Sequence, residues 1–531
     1  MKPTSKYIPL LLGIACAVGI FIGSKLNFGS SSEKIFAGNS KKEKLNRLID
    51  YIDYEYVDPI NTDSIVDVTV NSILKNLDPH SVYIPAEYYA ANAEDMRGRF
   101  VGIGVSFYVY KDTVAVISTI AGGPAEEAGL QGGDRILYAD EIPLFGEDVS
   151  NDSITGTLKG ELNSKVTLKV KRQNEDELLR FTLTRKEVPL VSVDASYLLN
   201  DTTGYIKVNR FSETTYEEFY NALKKQVDND ISTLVIDLRE NPGGYISAAE
   251  RILDELLPKG TLTLITKNKN GVEEKSYTRK KGLFESGEVI VLVNENSASA
   301  SEIVAGALQD NDRGIIIGRR TYGKGLVQRE MSLGDGSAVR LTTARYYTPT
   351  GRSIQRPYTN GDRNSYFSDY KERYENGELQ HVDSISVNDS LRYTTPKGKV
   401  VYGGGGIIPD VFVSKDLSNI HETLSYVLES GFLSYFIFEY LEKHRHEFNY
   451  SSADDFLTRY TPDTAIVNEF ITYSRLDETN LRLDEYNSEI KQYIKATLAQ
   501  QLYGNGYYQK ILNQDDRMIE QVNVYLGKKV E

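Results

Sequence analysis

Apolar residues at helical spacing open the patterned part of the chain: Leu45, Leu48, Ile49 and Ile52, then Ile65, Val66, Val70, Ile73 and Leu74. Steps of three and four put such residues on one face, which predicts two helices, broken at Asp58-Pro59 and closed by Asp78-Pro79-His80-Ser81. From Arg99 to Lys186 the period shortens to two. The runs VGIGVSFYV, TVAVISTI, DRILYAD, KVTLKVKR and LRFTLTR read as strands, with one helix-like insert, GPAEEAGL. From Val188 to Tyr347 strand runs and helical runs alternate: GYIKVNRF, Tyr216 to Val227, TLVIDLR, Ser247 to Leu256, LTLIT, EVIVLVN, a helix after Ser299, and RGIIIG. That rhythm predicts a multidomain α/β protein whose core is a largely parallel sheet, with functional residues at the strand ends. Gln355 to Lys397 is polar and reads as an excursion from the core. GGGGIIPDVFV reads as a returning strand, and the chain from Leu417 onward has helical spacing.

Composition narrows the classes. A chain of 531 residues is too long for one core, and 40% hydrophobic with 26% charged residues is globular usage. Acids outnumber bases, 75 to 61, for a net charge of -14. With no dense basic patch, nucleic acid is excluded as a partner. The single cysteine, Cys16, leaves no intramolecular disulfide and no thiol catalysis in the body. Cys16 lies in YIPLLLGIACAVGIFIG, an uncharged stretch with Lys2 and Lys6 before it and Lys25 after it. Its length falls between a signal core and a membrane span, and no clean small-x-small cleavage pattern follows. An uncleaved N-terminal membrane anchor is expected, with the body outside the cytoplasm, on the periplasmic side of the cell envelope.

The chemistry gathers in NENSASASEIVAGALQD, where an apolar strand, Val289 to Val293, gives way to a helix. Ser299-Ala300-Ser301-Glu302 has the form of a capping box, which by itself has no catalytic meaning. A serine at such a junction is equally a place for a nucleophile, because free N–H groups and the positive helix end favour a developing oxyanion. It would need a base. The five histidines, His80, His381, His421, His444 and His446, share no motif with it. Lysine can replace histidine when burial disfavours the ammonium. Lys324 in TYGKG follows the strand Gly314 to Gly318 between two glycines that let the backbone approach another segment. A surface hairpin lysine would look the same. Ser297 and Ser301 remain alternatives to Ser299, although helical geometry would turn them away from one shared site, and Asp310 lies roughly 16 Å along an unbroken helix, so Asp310 is read as structural.

Several stretches, in order, resemble the C-terminal processing peptidases, or tail-specific proteases: LDPHSVYIP, DLRENPGG, NENSASASEIVAGALQD, TYGKGLVQ and LTTARYYTPTGRSIQ. The likeness runs from about Lys42 to Ser353 and resumes at GIIPDV. FVGIGV followed by GPAEEAGL and GDRI resembles a circularly permuted bacterial PDZ domain. The resemblance implies a crotonase/Clp-like protease core with an inserted PDZ domain, an N-terminal helical segment and a C-terminal helical domain. The corresponding divisions are an anchor (1–24), a tether (25–41), a helical module (42–88), a PDZ domain (89–187), the peptidase core (188–354), the insertion (355–400), a return strand (401–416) and a helical domain (417–531). It further implies Ser299 as nucleophile, Lys324 as general base and Gln328 as the group orienting them, with backbone N–H groups of Gly243 and Ala300 as the oxyanion hole. Lys324 and Gln328 would stand about 13 Å apart on a straight strand, so a bend at Gly325 or converging side chains is required. Gly102, Ile103, Gly104 and Val105 would bind a substrate's terminal carboxylate, the peptide adding as a strand. The implied partners are proteins with free, apolar C-termini, together with self-association or an adaptor; no metal or cofactor is implied. Asn296, where glycine is common, and the long insertion depart from the family pattern. Two alternatives stay open: a non-catalytic tail-binding scaffold, and an acyl-CoA enzyme on a crotonase-type core.

Overall fold

The helical spacing near the start of the chain produces α1 (Ser40–Glu55) and α2 (Thr62–Lys75), which stop on either side of Asp58-Pro59. Asn61 caps α2, its Oδ1 accepting the Ser64 N–H at 3.2 Å, and Thr62 Oγ1 donates to Asp53 at 2.7 Å. The computed structural model describes residues 40–146, 149–173, 175–416, 419–429, 431–476 and 486–527. The expected anchor and the tether up to residue 39 lie outside the described residues. Among the described residues no helix is long and apolar enough to cross a membrane. The described residues up to Ile73 and those from Leu74 onward are separate compact units, and all elements after α2 belong to the second.

In that unit, Asp78 closes a turn by accepting the N–H groups of His80 and Ser81, both at 2.9 Å. The chain continues into β1 (Val82–Ile84) and α3 (Ala86–Arg97). The period-two region follows: β2 (Arg99–Gly102), β3 (Val105–Tyr110), β4 (Thr113–Thr119), α4 (Pro124–Ala128), β5 (Arg135–Ala139), β6 (Ile142–Pro143), α5 (Asn151–Leu158), β7 (Lys165–Lys171), β8 (Leu179–Thr184) and β9 (Lys186–Pro189). Its sheet has the order β3-β4-β5-β7-β8. Along β7, Val166, Leu168 and Val170 turn inward while the lysines between them face out, as a one-sided sheet requires. Helix α5 has no counterpart in the sequence pattern, because Thr155, Gly156 and Thr157 are weak helix formers. Its Ile154 and Leu158 are recruited by the core.

The central sheet is built from β10 (Val193–Asn200), β11 (Thr203–Val208), β12 (Thr233–Asp237), β15 (Glu288–Val293), β16 (Gly314–Gly318) and β21 (Val411–Phe412), in that order. All pairs are parallel except β10 with β11. Helices α6 (Thr215–Val227), α7 (Ile246–Leu256) and α8 (Ala300–Asp310) contribute to the main core with one set of strand residues, including Ile206, Ile236 and Val291. The strand residues of opposite parity, Tyr205, Val235, Ile290 and Leu292, belong to a second cluster. Burial on both faces explains the continuous apolar runs of these strands. The run LTLIT behaves differently from the expected alternation. It forms β13 (Leu262–Asn268) in a second, antiparallel sheet with β14 (Glu273–Tyr277), β17 (Leu326–Ser332), β18 (Ala338–Tyr347) and β1. Its far end, Lys267 and Asn268, is polar and exposed, which suits a partly solvated antiparallel strand.

The polar insertion folds onto the core. It contains α9 (Arg363–Phe367) and α10 (Asp369–Glu375), and then β19 (Arg392–Thr394) and β20 (Val400–Tyr402). Buried Arg373 donates to the carbonyls of Arg320 at 3.1 Å and Thr321 at 3.0 Å. The C-terminal helices are α11 (Asn419–Glu429), α12 (Gly431–His444), α13 (Ala453–Arg459), α14 (Thr464–Tyr473), α15 (Asn487–Tyr503), α16 (Asn505–Leu512) and α17 (Arg517–Gly527). Helix α12 docks on the β3–β5 sheet: Tyr435 stacks on Tyr108 at 4.3 Å, Phe438 meets Tyr110 edge-on at 5.6 Å, and Glu442 pairs with Arg135. Helix α17 covers the second face of the central sheet with Met518, Ile519 and Val522. The helical domain therefore braces the small sheet against the large one.

Phe438→Ala removes a fully buried ring from this docking surface and is expected to cost about 3 kcal/mol. Because a multidomain chain does not unfold in one step, amide hydrogen exchange is the measurement. β3 and β4 should exchange faster in the variant while β11 and β12 stay protected.

Candidate active site

Three neighbouring parallel strands end at one level: Asp237 of β12 is in register with Leu292 of β15, and Val293 with Gly318 of β16. The turns that follow them carry Gly243, Ser299 and Lys324. These turns are tied together by main-chain bonds. The Ala298 N–H donates to the Asn241 carbonyl at 3.0 Å, and the Tyr322 N–H donates to the Ser297 carbonyl at 3.0 Å.

Ser299 occupies the N-cap of α8 with φ 55° and ψ −112°. This region is costly for any residue with a Cβ, and side chains held there point out of a sharp strand-to-helix turn. Glu302 makes the carboxylate half of the expected capping box, accepting the Ser299 N–H at 2.9 Å. Neighbouring serines do not compete for the nucleophile's place. Ser297 Oγ donates to the Leu238 carbonyl at 2.8 Å and Ser301 Oγ to the Asn241 carbonyl at 3.0 Å, and both are buried. Ser299 alone of the three is half-exposed.

Lys324 lines a cleft of about 370 Å³ with His80, Glu240, Pro242, Asn296, Ala298 and Tyr322. Burial lowers its pKa below the ordinary lysine value and the charge of Arg340 lowers it further, against smaller opposing effects of Glu302 and Asp78. Among the described residues it has no ion-pair partner. The structure thus gives the lysine an apolar setting that a surface hairpin would not.

Gly243 fits under the serine: a Cβ there would lie 2.6 Å from the Ala298 carbonyl oxygen and 2.7 Å from Ser299 Cβ. Its φ of +98° also excludes other residues. Its N–H, expected in the oxyanion hole, is engaged in this structure. That N–H donates to Asn241 Oδ1 at 2.9 Å, because the Asn241 carboxamide closes an Asx turn over Pro242. Among the described residues the Ala300 N–H has no acceptor, so Ala300 is the open donor of the expected pair.

Gln328 does not reach Lys324 along a straight strand. A bulge between Val327 and Gln328 re-aims it, and its Nε2 donates to the His80 carbonyl at 2.6 Å. It thereby fixes the turn carrying Asp78 and His80 beside Lys324. His80 is the residue that sequence reasoning leaves in a remote helical module. The fold brings it into the cleft, since β1 pairs with β18 and draws the turn along. Its Nε2 lies 2.9 Å from Tyr366 Oη of the insertion. Burial pushes its pKa down to about 3, helped by the charge of Lys324, so the imidazole is neutral. The only hint in the sequence is LDPHS itself, which carries no spacing that links it to Ser299.

Asp310, set aside as structural, pairs with buried Arg352 at 2.7 Å and accepts a hydrogen bond from Thr350 Oγ1 at 2.6 Å. Asn296 donates to Glu240 at 2.7 Å, joining the two turns at the cleft rim. In the β2–β3 loop, Gly102 ends β2, Ile103 is buried in the small core, Gly104 has φ +76° and Val105 begins β3. Among the described residues the Ile103 and Gly104 N–H groups have no acceptor, and β3 is an edge strand.

Residues 202–364 match peptidase family S41, residues 101–183 match the PDZ domain, and residues 423–504 match DUF8443, a family of unknown function. A carboxy-terminal-processing protease of Bartonella bacilliformis is 35% identical over 306 residues, 57% of this chain and 69% of that one. The carboxy-terminal processing protease CtpB of Bacillus subtilis is 32% identical over 320 residues, 59% of this chain and 65% of the other. Among solved structures, a photosystem II D1 C-terminal processing protease is 26% identical with a TM-score of 0.37, covering 74% of this chain and 92% of its own. The chain spans about two thirds of the length of the two curated relatives. With its parallel core, its PDZ domain and these relatives, the chain belongs to peptidase family S41, among the carboxy-terminal processing proteases.

Proposed function

We propose that this protein is a serine endopeptidase that cuts proteins at or near their C-termini, with Ser299 as nucleophile and Lys324 as general base. The observation that carries the reading is a serine held in strained backbone at the head of α8, next to a cleft lined by a partly buried lysine that has no ion-pair partner among the described residues. Neutral Lys324 takes the Ser299 Oγ proton as Oγ attacks the scissile carbonyl. The tetrahedral oxyanion faces the Ala300 N–H, joined by the Gly243 N–H once it leaves Asn241 Oδ1. Collapse expels the amine, which takes the proton from Lys324, and leaves an acyl-enzyme. Water then attacks the ester with Lys324 again as base. Gln328 and the Asp78–Ser81 turn shape the surroundings of the lysine.

Substrate selection is assigned to the PDZ domain. The N–H groups of Ile103 and Gly104, without acceptors among the described residues, suit a terminal carboxylate, and edge strand β3 suits an added peptide strand. Gating of the site by this domain rests on the family likeness. Membrane tethering through Tyr7–Gly23 and a periplasmic body rest on the sequence pattern, and self-association or an adaptor on the family likeness.

The deciding experiment incubates protein lacking residues 1–24 with an unfolded substrate bearing an apolar C-terminus. Cleavage by wild type, lost in Ser299→Ala and Lys324→Ala and weakened when the tail is amidated, is the expected result. Equal cleavage by all three proteins would overturn the dyad; binding of the tail with no cleavage would favour the scaffold. Because the base must be neutral, kcat/KM should rise with pH through the Lys324 pKa. The midpoint should lie below the ordinary lysine value of about 10.4, a profile read by stopped assays at constant ionic strength. Gly243→Ala should lower kcat by ~100-fold or more, since its Cβ has no room beside Ser299 and the oxyanion donor is displaced.

A further inference from the structure

Two buried side chains that take no part in the proton transfers each hold the nucleophile and the base at once. Glu302 Oε2 accepts the Ser299 N–H at 2.9 Å and the Lys324 N–H at 2.8 Å. Its Oε1 accepts the Gly323 N–H at 2.7 Å and Thr321 Oγ1 at 2.5 Å. Among the described residues Glu302 has no cationic partner, although its exposure is zero. Burial raises the Glu302 pKa, while the four converging donors favour its ionised form, and only an acceptor on both oxygens satisfies them. On the carbonyl side of the same two residues, the Tyr346 hydroxyl lies 2.8 Å from the Lys324 oxygen and 3.1 Å from the Ser299 oxygen, sharing its proton between them. Tyr346 is buried, and burial raises its pKa well above the usual phenol value, so it remains a donor.

A helix cap needs only the Ser299 contact. The other bonds have no use in starting α8, because they run to a segment beyond β16. They join the strained turn of Ser299 to the glycine-flanked Lys324, where the backbone would otherwise be free to swing.

We propose that Glu302 and Tyr346 are positioning residues that lock the backbone of the nucleophile to the backbone of the base, from opposite sides of the peptide chain. The inference rests on the dyad reading and deepens it. It gives Glu302 a second, electrostatic consequence. Charged groups around Lys324 are Glu302 and Asp78, which favour its ammonium, Arg340, which opposes it, and Glu240, which lines the same cleft; the neighbouring His80 imidazole is neutral. Neutral lysine is the active form, so removing the Glu302 charge should move the acid limb of the rate profile to lower pH. Tyr346→Phe removes no charge and should leave the limb in place.

Two readouts test this: the pH profile of kcat/KM on an unfolded substrate, and the rate of covalent labelling of Ser299 by a fluorophosphonate, followed by intact mass. Glu302→Gln turns an amide N–H₂ toward backbone donors and is expected to slow both by ~100-fold through misplacement, with its acid limb displaced downward. Tyr346→Phe is expected to lower kcat about tenfold at unchanged KM and unchanged limb. A folded Glu302→Gln protein with a wild-type limb, or Tyr346→Phe with wild-type kcat and labelling, would overturn the proposal. If Glu302→Gln does not fold, by its thermal transition, Tyr346→Phe decides alone. Lys324→Ala separates the two levels: wild-type labelling in that variant refutes the dyad, whereas labelling lost there but intact in both positioning variants refutes only the clamp.

Discussion

The level at which three parallel strands end is the constraint on which this site depends. β12, β15 and β16 are adjacent and in register, so the turns that leave them have no choice but to meet. In an open α/β sheet this edge is where loops from separate parts of the chain converge. Here the convergence is tightened by Asn241, whose carbonyl takes the Ala298 N–H and Ser301 Oγ while its carboxamide takes the Gly243 N–H and donates to Val208. One buried asparagine thereby links the glycine turn, the nucleophile turn and the end of β11. A slip of one residue between β12 and β15 would reverse the faces of every side chain and separate these turns.

The treatment of buried charge sets the site apart from its surroundings. Burial would raise the Asp237 carboxyl, but Arg239 and Lys207 overcome this and hold it well below the usual carboxylate range. Arg239 also reaches Asp516 at 2.6 Å, ahead of α17. Glu295 is held down to about 2: burial opposes it, and Arg319 and Lys415 win. Asp310 has Arg352. These groups sit in partnered arrangements, which is the ordinary condition for burying an ion. Lys324 and Glu302 break the pattern, and each departs in the direction that burial alone dictates: the lysine toward neutrality, the carboxyl toward protonation. Lys324, which has no ion-pair partner among the described residues and lines the cleft, carries the physical mark of a working residue, in contrast to the paired Asp237, Glu295 and Asp310.

The insertion packs against the turn that carries His80. Tyr366 and Arg363 of the insertion hold His80 and the Pro79 carbonyl, the latter at 2.6 Å. Arg356 lies over the rings of both Tyr366 and Tyr322, at 3.9 and 4.4 Å. A segment that reads as a polar excursion from the core is in fact fixed by cation–π and ionic contacts, which leave no apolar period in the sequence. The same holds for α12, whose Tyr435, Phe438 and Glu442 look like ordinary helix residues until their partners on β3 and β5 are known.

The sequence by itself determined the elements that obey a local period: the parallel strands, continuous in apolar residues because both faces are covered, and the alternating strands of the PDZ domain. It also determined the residue types at the strand ends, and the order of its motifs pointed to Ser299 and Lys324. It misplaced β13, whose short apolar run fits either sheet, and it missed α5, whose threonines and glycine lack helix propensity. His80, Glu302 and Tyr346 were beyond it for a shared reason. Their roles arise from contacts between segments far apart along the chain, and a hydrogen bond between such segments imposes no spacing on the sequence. The Gly243 N–H shows the same limit in reverse: the turn was legible, but its direction was decided by the Asn241 side chain, which only the folded arrangement of β11, β12 and β15 holds in place.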